Sequence, residues 1–210
     1  YTRIASLFQL EQLVKYGELC LRENEIAYAD PGFFRLFDFE LLKGDRASCL
    51  SMPGQEVITE RIARKYFRDE EPMGKILVFN SNIGKVSCEV TGVMKEMPSN
   101  SHIHYNFLLS YKSLPKWVQE YWYKHETYTY VLLDSRERKE EIERAFPGMA
   151  EKYKTEEALK NKTWGVRLVP LEDIHLTPQL GYEAEQKGNR SAIIALVFAA
   201  VAILVIAWIN

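Results

Sequence analysis

The chain has 210 residues, of which 27% are charged and 47% hydrophobic, and its 27 basic and 29 acidic side chains give a formal net charge of −2. This balance argues against a nucleic-acid partner, because no excess of positive charge is available to meet phosphate groups. The length is sufficient for a real hydrophobic core, arranged as one domain or as two subdomains.

The N-terminal part is predicted to be mostly extended. Three segments alternate as strands do, with a hairpin turn at Tyr16-Gly17-Glu18 inside the second: RIASLF, QLVKYGELCLRE and NEIAYAD. Pro31 suits a first helical position and is expected to open a short helical turn, and DFELLKGD then continues as an extended piece that ends at Gly44. The aromatic residues of this region favour a core cluster over an exposed site for a hydrophobic ligand. They are Phe33, Phe34, Phe37 and Phe39.

An amphipathic helix is predicted at VITERIARKYF, residues 57–67, where apolar side chains recur at helical spacing. Thr59 is its expected N-cap, and Pro72 prevents its continuation. The next segments have the alternation of antiparallel strands. They are ILVFN, KVSCEVTGVMK and HYNFLLSY.

Three aromatic residues, Trp117, Tyr121 and Trp122, lie on one side of a predicted helix whose other residues are polar or charged. Such a surface helix favours contact with a partner and packing between subdomains about equally. These three residues are therefore candidate partner contacts.

The following segments complete an α+β pattern. TYTYVLLD is a predicted strand, and the charged stretch after it is predicted to form a helix, a loop at Pro147 and Gly148, and a second helix. TWGVRLVPL, residues 163–171, is predicted to be a strand. A seam between two subdomains is expected between Tyr111 and Lys162.

The chain ends in SAIIALVFAAVAILVIAWIN, in which Ala192 to Ile209 carry no charge. A helix of this run would be about 27 Å long, close to the hydrocarbon thickness of a bilayer. We predict a transmembrane helix at 191–210 in preference to a buried helix of a large core, which usually carries some polar residue.

The sequence has no pattern of catalytic residues that we can identify. GxSxG and HExxH are missing, and Gly74-Lys75 lacks the other residues of a phosphate-binding loop. His102 and His104 have strand spacing that would let them share a metal, but with no third ligand evident they are better explained as polar residues beside a turn. The cysteines, Cys20, Cys49 and Cys88, have no CxxC spacing and are predicted to be buried single thiols rather than a disulfide. We predict no catalytic, cofactor or metal site on this chain.

Five blocks in order resemble the MacB-like periplasmic core domain of FtsX-type ABC transporter permeases, in the large form common in Bacteroidetes. They are YADPGFFRLFDFELLKGD, VITERIARKYFRDEEPMGK, VTGVMKEMPSNSHIHYNFLLS, LEDIHLTP and GNRSAIIALVFAAVAILVIAWIN. The resemblance covers nearly the whole chain but is poor over residues 111–162, where the family itself varies.

The resemblance implies a two-lobed extracytoplasmic domain. Residues 1–110 and 163–183 would form a membrane-proximal porter-like lobe, residues 111–162 a distal sabre-like insertion, residues 184–190 a connection, and residues 191–210 the start of the second membrane helix. The domain would lie in the periplasm, attached to the bacterial inner membrane.

The resemblance also implies partners and a mode of action. A cytoplasmic ABC ATPase would hydrolyse ATP on a separate nucleotide-binding domain, and a second permease copy would complete a dimer. The movement would do periplasmic work by efflux or mechanotransmission, on a substrate or on a periplasmic or outer-membrane partner, and this chain would itself be no enzyme and carry no cofactor.

Gly188, Asn189 and Arg190 are the candidate coupling residues, because a short polar connection transmits displacement better than a Gly/Ser linker. Lys187 and Arg190 would by themselves favour a cytoplasmic domain under the positive-inside rule, against the order of the family. Two alternatives stay open at this stage. One is a membrane-anchored envelope enzyme or ligand sensor with a single C-terminal helix, and the other is a soluble carrier that uses the phenylalanine cluster to hold a hydrophobic ligand.

Overall fold

The computed structural model describes residues 1–5, 11–81, 84–120, 127–154, 160–174 and 190–209. The chain divides into two compact units, Tyr1–Gly165 and Val166–Asn210. The first unit contains a mixed sheet with a few helices, which confirms the predicted α+β class. The boundary between the two predicted lobes stays a prediction.

Ten strands form one sheet. They are β1 (Thr2–Ala5), β2 (Gln12–Tyr16), β3 (Leu19–Glu23), β4 (Ile26–Ala29), β5 (Leu41–Gly44), β6 (Gln55–Thr59), β7 (Ile76–Ser81), β8 (Gly84–Met94), β9 (Phe107–Ser110) and β10 (Thr127–Tyr130). The order across the sheet is β10-β1-β4-β9-β6-β8-β7-β2-β3, and β5 also pairs with β8. The pairs β4/β9 and β6/β8 are parallel, and the others are antiparallel. The eleven-residue β8 pairs with three strands and so binds the middle of the sheet together.

The local predictions of the N-terminal half are confirmed. Gly17 and Glu18 form the turn between β2 and β3, where Tyr16 pairs with Leu19 and Gly17 has φ of +55°. Helix α1 (Phe33–Leu36) is the short turn expected after Pro31. Helix α2 (Glu60–Phe67) begins after Thr59, whose side-chain hydroxyl accepts a hydrogen bond from the Ile62 backbone N–H at 3.4 Å.

Helix α2 packs on one face of the sheet. Its buried residues are Ile62, Ala63, Tyr66 and Phe67. They meet apolar side chains from the central strands, among them Val14, Leu77, Val90, Phe107 and Leu109. On the opposite face, the Ser110 hydroxyl donates to the Leu50 carbonyl at 2.9 Å and so holds the segment 45–54 in place. The central strands are therefore covered on both sides.

Gly44 ends β5 at a position that only glycine can occupy without strain. Its φ is +97°, and a Cβ atom there would lie 2.4 Å from the Thr91 carbonyl oxygen. Close pairing of β5 with β8 therefore requires the glycine of the LLKGD block.

Helices α3 (Lys116–Glu120) and α4 (Glu137–Tyr153) follow β9. The predicted loop at Pro147 and Gly148 is wrong, because α4 is one continuous helix with Pro147 inside it. Proline removes one backbone donor, and the long helix-favouring segments on both sides keep the helix intact across this gap.

The second unit contains a 3₁₀ turn at Leu171–Asp173 and helix α5 (Arg190–Ile209). The predicted strand at 163–171 is wrong, since residues 162–170 form no strand within the described part of the chain. Over the residues whose side chains the structure describes, which in α5 are 194–209, no helix is long and apolar enough to cross a membrane. The membrane helix at 191–210 stays a prediction.

Candidate functional site

Trp117 lies on the outer side of α3. The neighbouring Val118 is only 9% exposed and belongs to the core, whereas the Trp117 side chain is 46% exposed. A helix turns by about 100° per residue, so anchoring Val118 directs Trp117 away from the core. Tyr121 and Trp122 lie outside the described residues, and the shared aromatic face stays a prediction.

The candidate coupling residues are described only in part. Gly188 and Asn189 lie outside the described residues, and Arg190 is the first residue of α5. Along α5 the side chains from Ile194 to Ile209 are exposed, with Trp208 at 90%. The coupling role of Gly188, Asn189 and Arg190 stays a prediction.

Three of the four phenylalanines of the predicted core cluster are buried, and Phe39 is partly buried and stacks on Phe33 with a centroid distance of 5.7 Å. Phe33 and Phe34 are buried, and the Phe33 ring centroid lies 5.1 Å from those of both Phe34 and Phe37. Phe37 also contacts Tyr130 of β10, with a centroid distance of 5.0 Å. Because these rings pack against one another, the soluble-carrier alternative loses its binding site.

The two histidines have different partners. His102 Nε2 lies 3.1 Å from the Tyr130 hydroxyl, and His104 Nε2 lies 2.9 Å from the Pro98 carbonyl oxygen. Within the described ranges, no group of three His, Cys, Asp or Glu side chains could hold a metal ion. The structure therefore assigns both rings to contacts around the 98–102 turn and β10.

The cysteines occupy two kinds of position, and all three thiols are free. Cys49 and Cys88 are buried as predicted, and burial raises the pKa of Cys49 to about 11. The prediction is wrong for Cys20, which is exposed. It lies on β3, which is at the end of the strand order and has its outer residues in contact with solvent.

Arg3 and Asp30 form an ion pair that the sequence did not reveal. Arg3 donates its backbone N–H at 3.0 Å and its Nε–H at 2.8 Å to Asp30 Oδ2, and a third bond joins its Nη2 to Oδ1 at 3.0 Å. The guanidinium also lies 4.1 Å from the centroid of the Tyr111 ring. The hydrogen bond that Arg3 donates to Asp30 raises the Arg3 pKa above its ordinary value. Arg3 thus joins β1 to Asp30 of the ADPGFF block, just before α1, and to the Tyr111 ring, just after β9.

Two polar clusters hold α2 in place. In the first, the Lys65 ammonium and the Tyr66 hydroxyl both donate to Glu23 Oε1 on β3, at 2.6 and 2.8 Å. The Glu23 side chain is only 6% exposed. Burial, followed by the hydrogen bond to Glu23, raises the pKa of Tyr66.

The second cluster lies at the start of α2. Asn106 donates to Glu25 Oε2 and accepts from the Arg61 guanidinium, both at 2.6 Å. Glu25 has φ of +57°, a conformation uncommon for a residue with a side chain. The Arg61 backbone N–H donates to Glu96 Oε1 at 2.7 Å, so an acidic side chain occupies the positive end of the helix dipole.

Glu56 on β6 is the functional group that sequence reasoning missed most completely. Its side chain is fully buried, and neither carboxyl oxygen has a hydrogen-bond partner. Burial raises its pKa well above the usual range, and the nearby Leu77 backbone N–H offsets this only in part. Nothing in the local sequence marked Glu56 as buried, and both faces of its strand are covered.

Comparisons with known proteins identify a matching family and a similar fold. The family model of the MacB-like periplasmic core domain matches residues 2–148. A domain of a protein described as a permease from Porphyromonas gingivalis has a TM-score of 0.59 at 22% identity, over 80% of this chain and 77% of that chain. That similarity supports the α+β fold seen here.

Two further structures align less closely. The periplasmic region of MacB from Actinobacillus actinomycetemcomitans gives a TM-score of 0.48 at 14% identity, over 71% of this chain and 67% of that chain. The extracellular domain of the noncanonic ABC-type transporter YknZ from Gram-positive bacteria gives 0.46 at 16% identity, over 74% and 78%. No curated protein sequence matches the chain.

Proposed function

Because the chain belongs to the MacB-like periplasmic core domain family, which matches it over residues 2–148, we propose that it couples cytoplasmic ATP hydrolysis to work outside the membrane. The family is a domain of transporter permeases, not an enzyme. In this proposal a separate cytoplasmic ABC ATPase supplies the energy, a second permease copy completes the dimer, and the domain lies in the periplasm on the inner membrane. The family match is the observation that carries the proposal.

The construction of the sheet supports a role in passing on movement, since a body that transmits displacement must deform little. β8 pairs with three other strands, and α2 is fixed to the sheet by Glu23 and by Asn106. The Arg3–Asp30 pair fixes β1 in the same way. Partly buried ion pairs and hydrogen bonds of this kind favour one arrangement of the packed elements over others.

Movement would enter through residues 184–190 and the membrane helix proposed at 191–210. The connection is short and has only one glycine, Gly188, so it is stiffer than a Gly/Ser linker of equal length. Gly188, Asn189 and Arg190 would be the coupling residues. Trp117 on α3 would be part of the surface that meets a periplasmic or outer-membrane partner, because a large exposed aromatic side chain is typical of protein interfaces.

The first test is purification of the full-length gene product from membranes, followed by identification of the proteins that remain bound. We expect a cytoplasmic ABC ATPase and a second copy of the permease. A matched sample carrying Trp117→Ala should keep the ATPase and lose the periplasmic partner, because only the latter would contact α3. Recovery of the wild-type protein without any ATPase would contradict the proposal.

The second test measures coupling directly in the reconstituted permease and ATPase. A spin label on Trp117→Cys, with the exposed Cys20 replaced by serine, reports distances between the two copies with and without ATP. We expect an ATP-dependent change that disappears when four Gly/Ser residues are inserted after Gly188, while ATP hydrolysis continues. The same insertion between Gly17 and Glu18, in an exposed hairpin turn, is the control and should leave the change intact. An unaltered change after the Gly188 insertion would refute the coupling role.

A further inference from the structure

The Glu56 side chain lies at the middle of the sheet, beneath α2. In strand register, Tyr28 of β4 is opposite Leu109 of β9, Leu109 is opposite Glu56 of β6, and Glu56 is opposite Val90 of β8. Residues paired in this way point to the same face of a sheet. Tyr28, Leu109 and Val90 belong to the core cluster that α2 covers, so the Glu56 carboxyl points into that cluster.

Among the described residues, the Leu77 backbone N–H lies near this carboxyl but makes no hydrogen bond to it by geometry. Both Glu56 oxygens are buried and unbonded, and so are the Tyr28 hydroxyl and Gln12 Oε1. A charged carboxylate without donors is far costlier to bury than a neutral acid. The geometry therefore favours the protonated form.

The titratable groups on the neighbouring elements offer no compensating charge. β8 contributes the thiol of Cys88, β4 the hydroxyl of Tyr28, α2 the hydroxyl of Tyr66, and β3 the carboxylate of Glu23. Burial raises the pKa of Cys88, and the proximity of Glu56 raises it further. These groups are neutral or negative, so an ionised Glu56 would be repelled rather than stabilised by them.

The cations of α2 are already engaged elsewhere. Lys65 binds Glu23 at 2.6 Å, Arg61 binds Asn106 at 2.6 Å, and Arg64 binds Glu60 at 2.6 Å. The other side chains that meet this part of the core are apolar: β7 contributes Leu77, whose backbone N–H offsets the burial of Glu56 only in part, and β2 contributes Val14. Ionisation of Glu56 would thus be relieved most readily by water entering as α2 separates from the sheet.

We propose that Glu56 is a pH-sensitive element of the fold, which keeps α2 docked while it holds a proton and loosens the docking when it ionises. This property is independent of the proposed function. The folded pKa lies above the ordinary value of 4.5, so the contribution of Glu56 to stability is complete below pH 4.5 and is lost as the pH rises toward the folded pKa. Across that window one proton is released on opening, and the opening constant rises about tenfold per pH unit.

The test compares the full chain with Glu56→Gln between about pH 5 and about pH 8, using urea unfolding and hydrogen exchange of the α2 amides corrected for intrinsic rates. Glutamine has nearly the same shape and cannot ionise. Relative to this variant, the opening constant of the wild type should rise about tenfold per pH unit between the ordinary pKa of glutamate and the folded pKa of Glu56. Glu60→Gln, on the exposed side of α2, is the matched control and should keep the wild-type dependence.

Equal pH dependence in the wild type and Glu56→Gln would overturn the proposal. Should Glu56→Gln fail to fold, Glu56→Leu removes the acid with an apolar side chain and serves the same comparison. Infrared difference spectroscopy adds an independent readout at about pH 5, above the ordinary pKa of a glutamate, where the wild type should have the carbonyl band of a protonated carboxylic acid that Glu56→Leu lacks. Absence of that band from the wild type would also overturn the proposal.

Discussion

Helices α2 and α4 are held in place by different forces. α2 has eight residues, of which Ile62, Ala63, Tyr66 and Phe67 are buried, and a hydroxyl caps its first turn. α4 has seventeen residues, yet Ala150 is the only fully buried one among its described side chains, and no side chain caps its start. A short helix is not stable alone, so α2 depends on the sheet, whereas the length and composition of α4 support it locally.

This contrast explains where the family resemblance is strong. VITERIARKYF forms the end of β6 and all of α2, and seven of its eleven residues are buried. Residues 111–162, over which the quoted sequence blocks are missing although the family model matches as far as residue 148, include α4 and much exposed surface. A surface helix can change its sequence at little cost in stability, and so it is free to adapt to different partners.

The largest expected effect in this comparison comes from truncating the buried stripe of α2. Ile62→Ala, at a position with 0% exposure, should lower the free energy of unfolding by about 2–5 kcal/mol, because it loses apolar contacts and leaves a cavity. The matched Ile142→Ala, at a partly buried position of α4, should cost less than about 1 kcal/mol. Urea unfolding of the full chain followed by tryptophan fluorescence measures both. Similar losses in the two variants would mean that α4 is packed as tightly as α2.

A pair of glycines sharpens the comparison between the sheet and α4. Gly44→Ala places a methyl group 2.4 Å from the Thr91 carbonyl oxygen at φ of +97°, and should cost about 2–4 kcal/mol. Gly148→Ala meets nothing within 4 Å on α4 and should stabilise the chain by about 0.5–1 kcal/mol, because alanine is the better helix former. Thermal unfolding should move the melting temperature in opposite directions. A shift in the same direction would place Gly148 in a conformation that needs glycine.

Local pattern predicted most of the elements but not their arrangement. The Thr59 cap, the turn at Gly17 and the strands around residue 80 depend on neighbours in sequence, and these were predicted correctly. The order of strands depends on pairings between distant residues, such as Thr2 with Tyr130, for which sequence alternation gives no signal. The Arg3–Asp30 pair was not predicted for the same reason, because its two residues are far apart in the sequence.

The failures of the sequence reasoning have identifiable physical causes. Pro147 was predicted to end a helix, but the helix formers around it outweigh one missing hydrogen bond. The burial of Glu56 was not predicted, because local sequence does not show whether one face or both faces of a strand are covered. At the candidate site, Trp117 lies on the outer side of α3, as expected for a surface helix. The identity of a partner cannot be predicted from the spacing of residues along one helix.

The smallest expected effect concerns the ion pairs of the two helices. Lys65→Met leaves the Glu23 carboxylate, 6% exposed, with the Tyr66 hydroxyl as its remaining donor and should cost about 1–2 kcal/mol. This is less than the loss of a fully buried pair, because the Lys65 side chain is 40% exposed and water screens it. Arg138→Met on α4 removes contacts of 3.4 Å to Asp134 and 3.5 Å to Glu141, with Arg138 57% exposed, and should cost at most about 0.5 kcal/mol. Urea unfolding at low and high salt separates the two cases: added salt should abolish the Arg138 effect and leave most of the Lys65 effect, because a desolvated pair is screened less. If salt removed both effects equally, the Lys65–Glu23 pair would behave as a surface contact, and the anchoring of α2 would depend on its apolar stripe and on the contacts of Arg61.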